Sequence, residues 1–355
     1  MTVDTNSTGR VVVAIATPIE AELVARIEAV DDRLEVLYQP DLLPPLRFPG
    51  DHRGVSSFQR SPEAEDQWTA MLTSAEVLFG LPGDSPSGLA DAVRVGSRLR
   101  WVQATAGGAG EQIRASGLTG EELSGVMLTR AGGVHVGPLA EFAMFGLLAF
   151  TKGLPRLLAD TQARHWDHYP MAELRDRTLL VVGLGSIGVE VARLAKAFGM
   201  RVIAVNTTGR TDCPYVDEVR PARFLGDLLP VAHGVVLTLP LTEQTKGLID
   251  AAAISRMRTD AILVNVGRGG VVDEAALIQA LEEGRLTGAV LDVFATEPLP
   301  PENALWGLRN VLVSPHTAAL SRRENERIVD LFIDNLRRYL DGEQLCHRVD
   351  PVLLY

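Results

Sequence analysis

Thr178-Leu179-Leu180-Val181-Val182-Gly183-Leu184-Gly185-Ser186-Ile187-Gly188 is the segment on which the architecture turns. Its first five residues form a mostly apolar, β-branched run, the pattern of a buried strand. The run enters a glycine-rich turn, Val189 to Ala197 continues at helical spacing, and a second strand pattern, Arg201–Val205, closes a βαβ unit. In that frame Gly183 permits the tight turn, Gly185 lets backbone approach a pyrophosphate, and Gly188 allows close helix–strand packing. The helix N-terminus, where Ser186 and Ile187 lie, offers unpaired N–H groups to phosphates. A glycine turn without a ligand is the bland alternative. The complete strand–turn–helix–strand frame outweighs it.

The same alternation extends in both directions. Downstream, strand patterns recur at Gly234–Leu239, Ala261–Val266, Ala289–Val293 and Val311–Ser314, so that six strands with intervening helices make a complete dinucleotide-binding sheet. Upstream lie Val11–Ala16, Leu34–Tyr38, Val77–Phe79, Leu99–Gln103 and Val126–Thr129, with a Pro-rich, polar excursion from Leu42 to Glu65. At Gly137-Pro138 the pattern changes to one apolar helix running to about Leu158, and an amphipathic helix from Arg322 to Leu340 ends the series. The expected fold class is α/β with two domains: a Rossmann-type domain, residues 137–319, inserted into a flavodoxin-like domain formed by 11–136 and 320–355.

Composition narrows the function. The chain has 355 residues, 46% hydrophobic and 22% charged, enough to bury a sizeable core. Lys and Arg number 34 against 45 Asp and Glu, a net charge of −11. A polyanion is repelled on average, and no basic run interleaved with aromatics offers a local exception, so nucleic acid is not an expected partner. The two cysteines, Cys213 and Cys346, form neither a CxxC pair nor a disulfide framework. The polar start, Met1 to Arg10, lacks a signal core, and the longest apolar run, Phe142 to Phe150, is too short to cross a bilayer. A cytoplasmic protein without a membrane partner is expected.

Where an NAD site usually carries Asp or Glu at the end of the second strand, this chain reads Val205-Asn206-Thr207-Thr208-Gly209-Arg210. A carboxylate there would repel a 2′-phosphate, whereas Asn206, Thr207 and Arg210 could bond to one. NADP(H) is thereby favoured slightly over NAD(H). Arg210 as a solvated loop arginine, with either cofactor accepted, is the alternative.

Four further segments follow in order: Pro240-Leu241-Thr242-Glu243-Gln244-Thr245, then Leu263 to Asp273 (LVNVGRGGVVD), Ala289 to Pro298 (AVLDVFATEP) and Val313-Ser314-Pro315-His316-Thr317-Ala318. With the glycine turn they resemble the D-isomer-specific 2-hydroxyacid dehydrogenase family, which includes phosphoglycerate dehydrogenases and glyoxylate/hydroxypyruvate reductases. Dense matching runs from about Pro138 to Ala319. The resemblance implies an oxidoreductase moving a hydride between NAD(P)H and a 2-oxo or D-2-hydroxy acid, with substrate in a cleft between the domains. It further implies cofactor contacts at Leu239, Pro240, Thr245, Val266, Gly267, Asp292, His316 and Ala318.

Reducing a 2-oxo acid needs a hydride donor, a proton donor and a cation for the carboxylate. His316 suits proton transfer, because an imidazole titrates near neutrality. A nearby carboxylate favours the charged ring and fixes it; the resemblance gives that part to Glu297. Formate dehydrogenases, which resemble the family, place Gln there, so formate is not expected. Arg268 would bind carboxylate and carbonyl oxygens through its fork of donors. Singly, each has a bland reading as a strand-end, turn or loop residue. Together, each at the carboxyl end of a strand, they favour a site. In the first domain the resemblance implies that Gly107 and Gly108 bind the carboxylate through backbone N–H groups. Many relatives continue with Val-Asp where this chain has Ala109-Gly110.

Other features stay open. His165 and His168 have a spacing that could bind metal, but no third ligand is evident and no metal is expected. His135, near the domain crossing, reads as a hinge-loop histidine that could reach the cleft. Trp101 reads as core. The helix from Pro138 to Leu158 resembles the family's dimer-forming element, implying a homodimer, although its apolar face could equally be internal. A dinucleotide-sensing, corepressor-like binding protein of the same fold is the alternative function.

Overall fold

The computed structural model describes residues 10–350; the N-terminal residues read above for a signal core lie, Arg10 apart, outside the described part. The strands are β1 (Val11–Ile15), β2 (Leu34–Leu37), β3 (Val77–Phe79), β4 (Trp101–Gln103), β5 (Met127–Thr129), β6 (Thr178–Val182), β7 (Arg201–Asn206), β8 (Glu218–Pro221), β9 (Gly234–Leu237), β10 (Ile262–Asn265), β11 (Gly288–Leu291) and β12 (Val311–Val313). The α-helices are α1 (Ala21–Glu28), α2 (Pro62–Ser74), α3 (Pro86–Val95), α4 (Ala109–Ala115), α5 (Gly120–Leu123), α6 (Val136–Thr151), α7 (Leu154–Ala163), α8 (Ser186–Ala197), α9 (Leu225–Leu228), α10 (Ala251–Arg256), α11 (Glu274–Glu282) and α12 (Glu324–Leu340). The chain divides into two compact units. One takes the residues up to His135 together with those from Leu320 onward, and the other takes Val136–Ala319.

The first unit holds a five-stranded parallel sheet in the order β2-β1-β3-β4-β5, the flavodoxin-like order. Its core explains why the distant tail returns to it. Trp101 is fully buried, donates from Nε1 to Thr129 Oγ1 at 2.7 Å, and stacks on Phe332 of α12 with ring centroids 5.0 Å apart. Without α12 that aromatic face would lie open.

The second unit holds a seven-stranded parallel sheet, β12-β11-β10-β9-β6-β7-β8. Strand direction of winding reverses between β6 and β9, the switch point where such sheets place ligands beyond their carboxyl ends. The α/β, two-domain expectation is therefore met. One strand was not foreseen: β8 is a half-exposed edge strand with a single stretch of apolar character and Pro221 at its end, so it carries no buried-strand signature.

The helix expected as one piece from Pro138 to Leu158 is two. Gly153 adopts φ +69° between α6 and α7, Pro155 sits in the first turn of α7, and the axes bend by 59°. No single helix among the described residues is long and apolar enough to cross a membrane. The apolarity of α6 is spent inside the unit: a Cβ on Gly146 would come within 2.6 Å of Val290 on β11. On the surface of this pair Phe145 and Leu158 stay at least half exposed. The excursion after Leu42 ends earlier than expected, because Ser61 caps α2 by accepting from Ala64 N–H at 3.3 Å.

Candidate active site

The glycine turn has the shape that its sequence predicts. Gly183 adopts φ +100°, and a Cβ on Gly188 would lie 2.1 Å from the Gly183 carbonyl oxygen, so only glycine lets α8 start this close to β6. Gly185 differs: a Cβ there would meet nothing within 4 Å, so open space lies beside the backbone. The N–H groups of Leu184 and Gly185 donate to no protein group among the described residues, and those of Ser186 and Ile187 belong to the unpaired first turn of α8. Thr238 Oγ1 donates to the Gly183 carbonyl at 2.7 Å and ties the end of β9 to this turn. Open space, unclaimed donors and a helix dipole fit a diphosphate.

At the end of β7, Asn206 is committed to its own loop. Its Oδ1 accepts from Gly209 N–H at 2.6 Å, and its Nδ2 donates to the Arg210 carbonyl at 2.8 Å. The side chain thus shapes the loop that exposes Thr207 and Arg210. Thr245 is likewise spent locally, donating to the Pro240 carbonyl at 2.7 Å and closing the turn after Leu239 and Pro240. Val266 and Gly267 follow β10, and a Cβ on Gly267 would lie 2.6 Å from the Leu239 carbonyl oxygen, so the segments beyond β9 and β10 meet here.

Arg268, Glu297 and His316 follow β10, β11 and β12, three neighbouring strands of one sheet, and the parallel register puts all of them beyond carboxyl ends. Asn265 clamps the arginine's turn. Its Oδ1 accepts from Gly267 N–H at 3.1 Å and its Nδ2 donates to the Arg268 carbonyl at 3.0 Å. The Arg268 Nη1 donates to the Gly267 carbonyl at 2.9 Å. His316 sits at φ +53°, a left-handed conformation uncommon for a non-glycine residue and frequent where function fixes a side chain. Its Nδ1 lies 2.7 Å from Glu297 Oε2, while Glu297 Oε1 accepts from Phe294 N–H at 3.0 Å. A carboxylate only accepts, so Nδ1 carries the proton in this pair and Nε2 is the ring atom left for another partner.

Asp292 is the buried brace of the assembly, 1% exposed. Its Oδ1 accepts from Ser314 Oγ at 2.6 Å and from the N–H groups of Thr317 and Ala318, both at 2.9 Å. These bonds bracket His316. Asn265, Ser314 and this bracing part of Asp292 were not legible in sequence. The only available sign was a polar side chain one or two residues beyond an apolar strand.

In the first unit Thr105 to Gly108 follow β4, and Gly108 precedes α4. His135 Nε2 lies 3.1 Å from Glu324 Oε1. His165 pairs with Asp160 at 3.2 Å beyond the end of α7, and among the described residues no group of three or more His, Cys, Asp or Glu could hold a metal.

Comparison with known proteins agrees with this geometry. Residues 144–318 match the family model described as D-isomer specific 2-hydroxyacid dehydrogenase, NAD binding domain. The chain is 37% identical over 225 residues to a glyoxylate reductase of Korarchaeum cryptofilum, covering 62% of this chain and 68% of that one. It is 35% identical over 223 residues to an (S)-sulfolactate dehydrogenase of Chromohalobacter salexigens, covering 61% and 71%. Among solved structures, it is similar to a D-isomer specific 2-hydroxyacid dehydrogenase family protein of Aeromonas salmonicida, with TM-score 0.79, 26% identity and coverage of 97% and 100%. A D-isomer specific 2-hydroxyacid dehydrogenase of Xanthobacter autotrophicus, in complex with NADPH and MES, gives TM-score 0.76 at 26% identity, covering 98% and 100%.

Proposed function

The chain belongs to the D-isomer-specific 2-hydroxyacid dehydrogenase family and is an NAD(P)-dependent 2-hydroxyacid reductase; from that premise we propose that it acts on small 2-oxo acids of the glyoxylate and hydroxypyruvate type, with NADPH favoured over NADH. The observation that carries the proposal is the Glu297–His316 pair at 2.7 Å, set beside Arg268 on neighbouring strand ends. The matched relatives quoted above are enzymes, which lends the sensing alternative no support.

In this proposal the nicotinamide, when bound, supplies the hydride that reaches the 2-carbon. His316 gives the Nε2 proton to the carbonyl oxygen, so that hydride plus proton convert the 2-oxo acid to its 2-hydroxy acid. In the reverse direction Nε2 takes the hydroxyl proton. Glu297 holds the ring in the required tautomer and stabilises its charge. Arg268 carries five N–H donors in a planar fork, the geometry that bridges carboxylate and carbonyl oxygens. Gly107 and Gly108 are proposed as backbone donors to the carboxylate. Leu184 to Gly188 would hold the diphosphate, and Asp292 would face the carboxamide of the nicotinamide.

The preference for NADPH is supported by the absence of an acid from Asn206 to Arg210 and by the NADPH-bound Xanthobacter relative. The substrate class is supported by the glyoxylate reductase relative. A homodimer built on the exposed apolar residues of α6 and α7 accompanies the proposal, and light scattering would test it. The functional test is oxidation of NADPH beside NADH across glyoxylate, hydroxypyruvate, pyruvate and bulkier 2-oxo acids. Turnover fastest with NADPH and the small acids is expected. Turnover confined to bulky acids, or faster with NADH, would overturn the corresponding half.

A further inference from the structure

The first unit contains a second carboxylate–imidazole pair that the reaction as described does not use. His135 Nε2 lies 3.1 Å from Glu324 Oε1, and the two side chains are only 14% and 3% exposed. Glu324 is walled in: its other oxygen accepts from Ser321 N–H at 3.4 Å, and a Cβ on Gly50 would lie 2.9 Å from it. An acceptor-only carboxylate makes Nε2 the donor of this pair. The remaining ring atom, Nδ1, has no hydrogen-bond partner among the described residues and is not sealed from solvent.

That free atom faces the glycine turn. A Cβ on Gly107 would sit 3.3 Å from His135 Nδ1, so only the missing side chain leaves room beside the ring. The turn is also polarised. The carbonyl of Ala106 accepts from Ala131 N–H at 3.2 Å and that of Gly107 from Arg130 Nη1 at 3.2 Å. The N–H groups of Ala106 and Gly107 donate to nothing among the described residues. Acceptors are tied back and donors are left over, next to a ring whose second nitrogen is unclaimed. Such a constellation favours an anion.

We propose that His135 is a substrate-binding residue whose Nδ1–H donates to the carboxylate of the 2-oxo acid at the Thr105–Gly108 turn. Glu324 is its positioning residue, holding the ring through Nε2 and compensating the charge of a doubly protonated imidazole. The inference rests on the 2-oxo acid reading and adds to it a side chain outside the Arg268–Glu297–His316 group.

The test is steady-state kinetics with glyoxylate and NADPH, together with inhibition by oxalate, for the unsubstituted chain, His135→Ala, His135→Asn and Glu324→Gln. A hydrogen bond to a charged group converts to roughly a tenfold or greater rise in KM for His135→Ala. The oxalate inhibition constant should rise in parallel, while kcat stays within about threefold and NADPH affinity, read by fluorescence, stays unchanged. His135→Asn, whose amide can donate from near the Nδ1 position, should restore part of the loss, and Glu324→Gln should show a smaller rise. Should the alanine variant fail to fold, the asparagine and glutamine variants still decide the matter through oxalate inhibition. Unchanged KM and oxalate inhibition in folded variants would overturn this inference alone. An unsubstituted chain that binds NADPH but turns over no 2-oxo acid would overturn the reading beneath it as well.

Discussion

Replacing Asp292 with Asn isolates what holds His316 in place. The Asp292 Oδ1 receives three donors, Ser314 Oγ at 2.6 Å and the N–H groups of Thr317 and Ala318 at 2.9 Å. The segment they fix contains His316 at φ +53°, and a non-glycine residue held there costs on the order of 1–3 kcal/mol. Hydrogen bonds to a charged acceptor are worth about 1.5–3 kcal/mol each, and neutral ones about half as much. Asn keeps the shape and an acceptor but loses the charge, so the three bonds together weaken by roughly 2–3 kcal/mol, allowing for non-additivity. That is comparable with the strain they offset.

The His316 loop should therefore leave its working conformation for much of the time. At about 1.4 kcal/mol per tenfold, kcat/KM for glyoxylate should fall by roughly ten- to a hundredfold. Hydrogen–deuterium exchange of the peptide spanning residues 314–319 should accelerate, because Thr317 and Ala318 lose protection. Asp292→Ala, which leaves both amides and a hydroxyl without an acceptor, should be worse in both respects and should also lower the melting temperature. If Asp292 served only the cofactor, Asp292→Asn would weaken NADPH binding and leave exchange of the loop unchanged. Asp292→Asn with kcat/KM within about twofold of the unsubstituted chain and unchanged exchange would refute the bracing argument.

His316→Ala should lose about 10²–10⁴ in kcat, the usual share of a general acid, with NADPH affinity intact; full turnover would remove the proton-donor assignment. Asn206→Asp keeps the acceptor for Gly209 but gives up the donor to the Arg210 carbonyl, so the loop persists while a negative charge replaces a neutral amide. The ratio of kcat/KM for NADPH over NADH should drop by about tenfold or more, and an unchanged ratio would sink the phosphate-pocket reading. His233 supplies a pH dependence. Burial, with help from the Arg258 and Arg177 charges, pushes its pKa down, and its Nδ1 accepts from Thr178 N–H at 3.1 Å, which only the unprotonated nitrogen can do. Because the folded value is lower than the unfolded one, the stabilisation is present above about pH 6.5 and is lost as acid protonates the ring. The melting temperature should fall as pH drops from about 7 toward 5.5. The slope should be shallower in His233→Asn, whose Oδ1 keeps an acceptor for Thr178. His347, also pushed down by burial, adds a slope of the same sign, so some pH dependence persists.

What the sequence disclosed follows from which interactions are local. The glycine turn is legible because each glycine answers a contact within a few residues: Gly188 against the Gly183 carbonyl, Gly183 at a positive φ. Buried parallel strands are legible because both their faces are apolar, and β8 escaped because one edge strand has neither face buried. The break at Gly153 was hidden by the apolar pattern, which continues through Leu157 and Leu158 although neither is buried. Arg268, Glu297 and His316 could be nominated because each stands at a strand end, but only the sheet order β12-β11-β10 makes those ends neighbours. The supporting polar groups have no such signature. Asn265, Asp292 and Ser314 bond across turns or between strands separated by some twenty residues, as in the Ser314–Asp292 bond with a sequence separation of 22. Glu324 meets His135 across 189 positions. A chain that inserts one unit into another brings residues far apart in sequence together, and there the chemistry of a position is set by a partner that no local pattern can name.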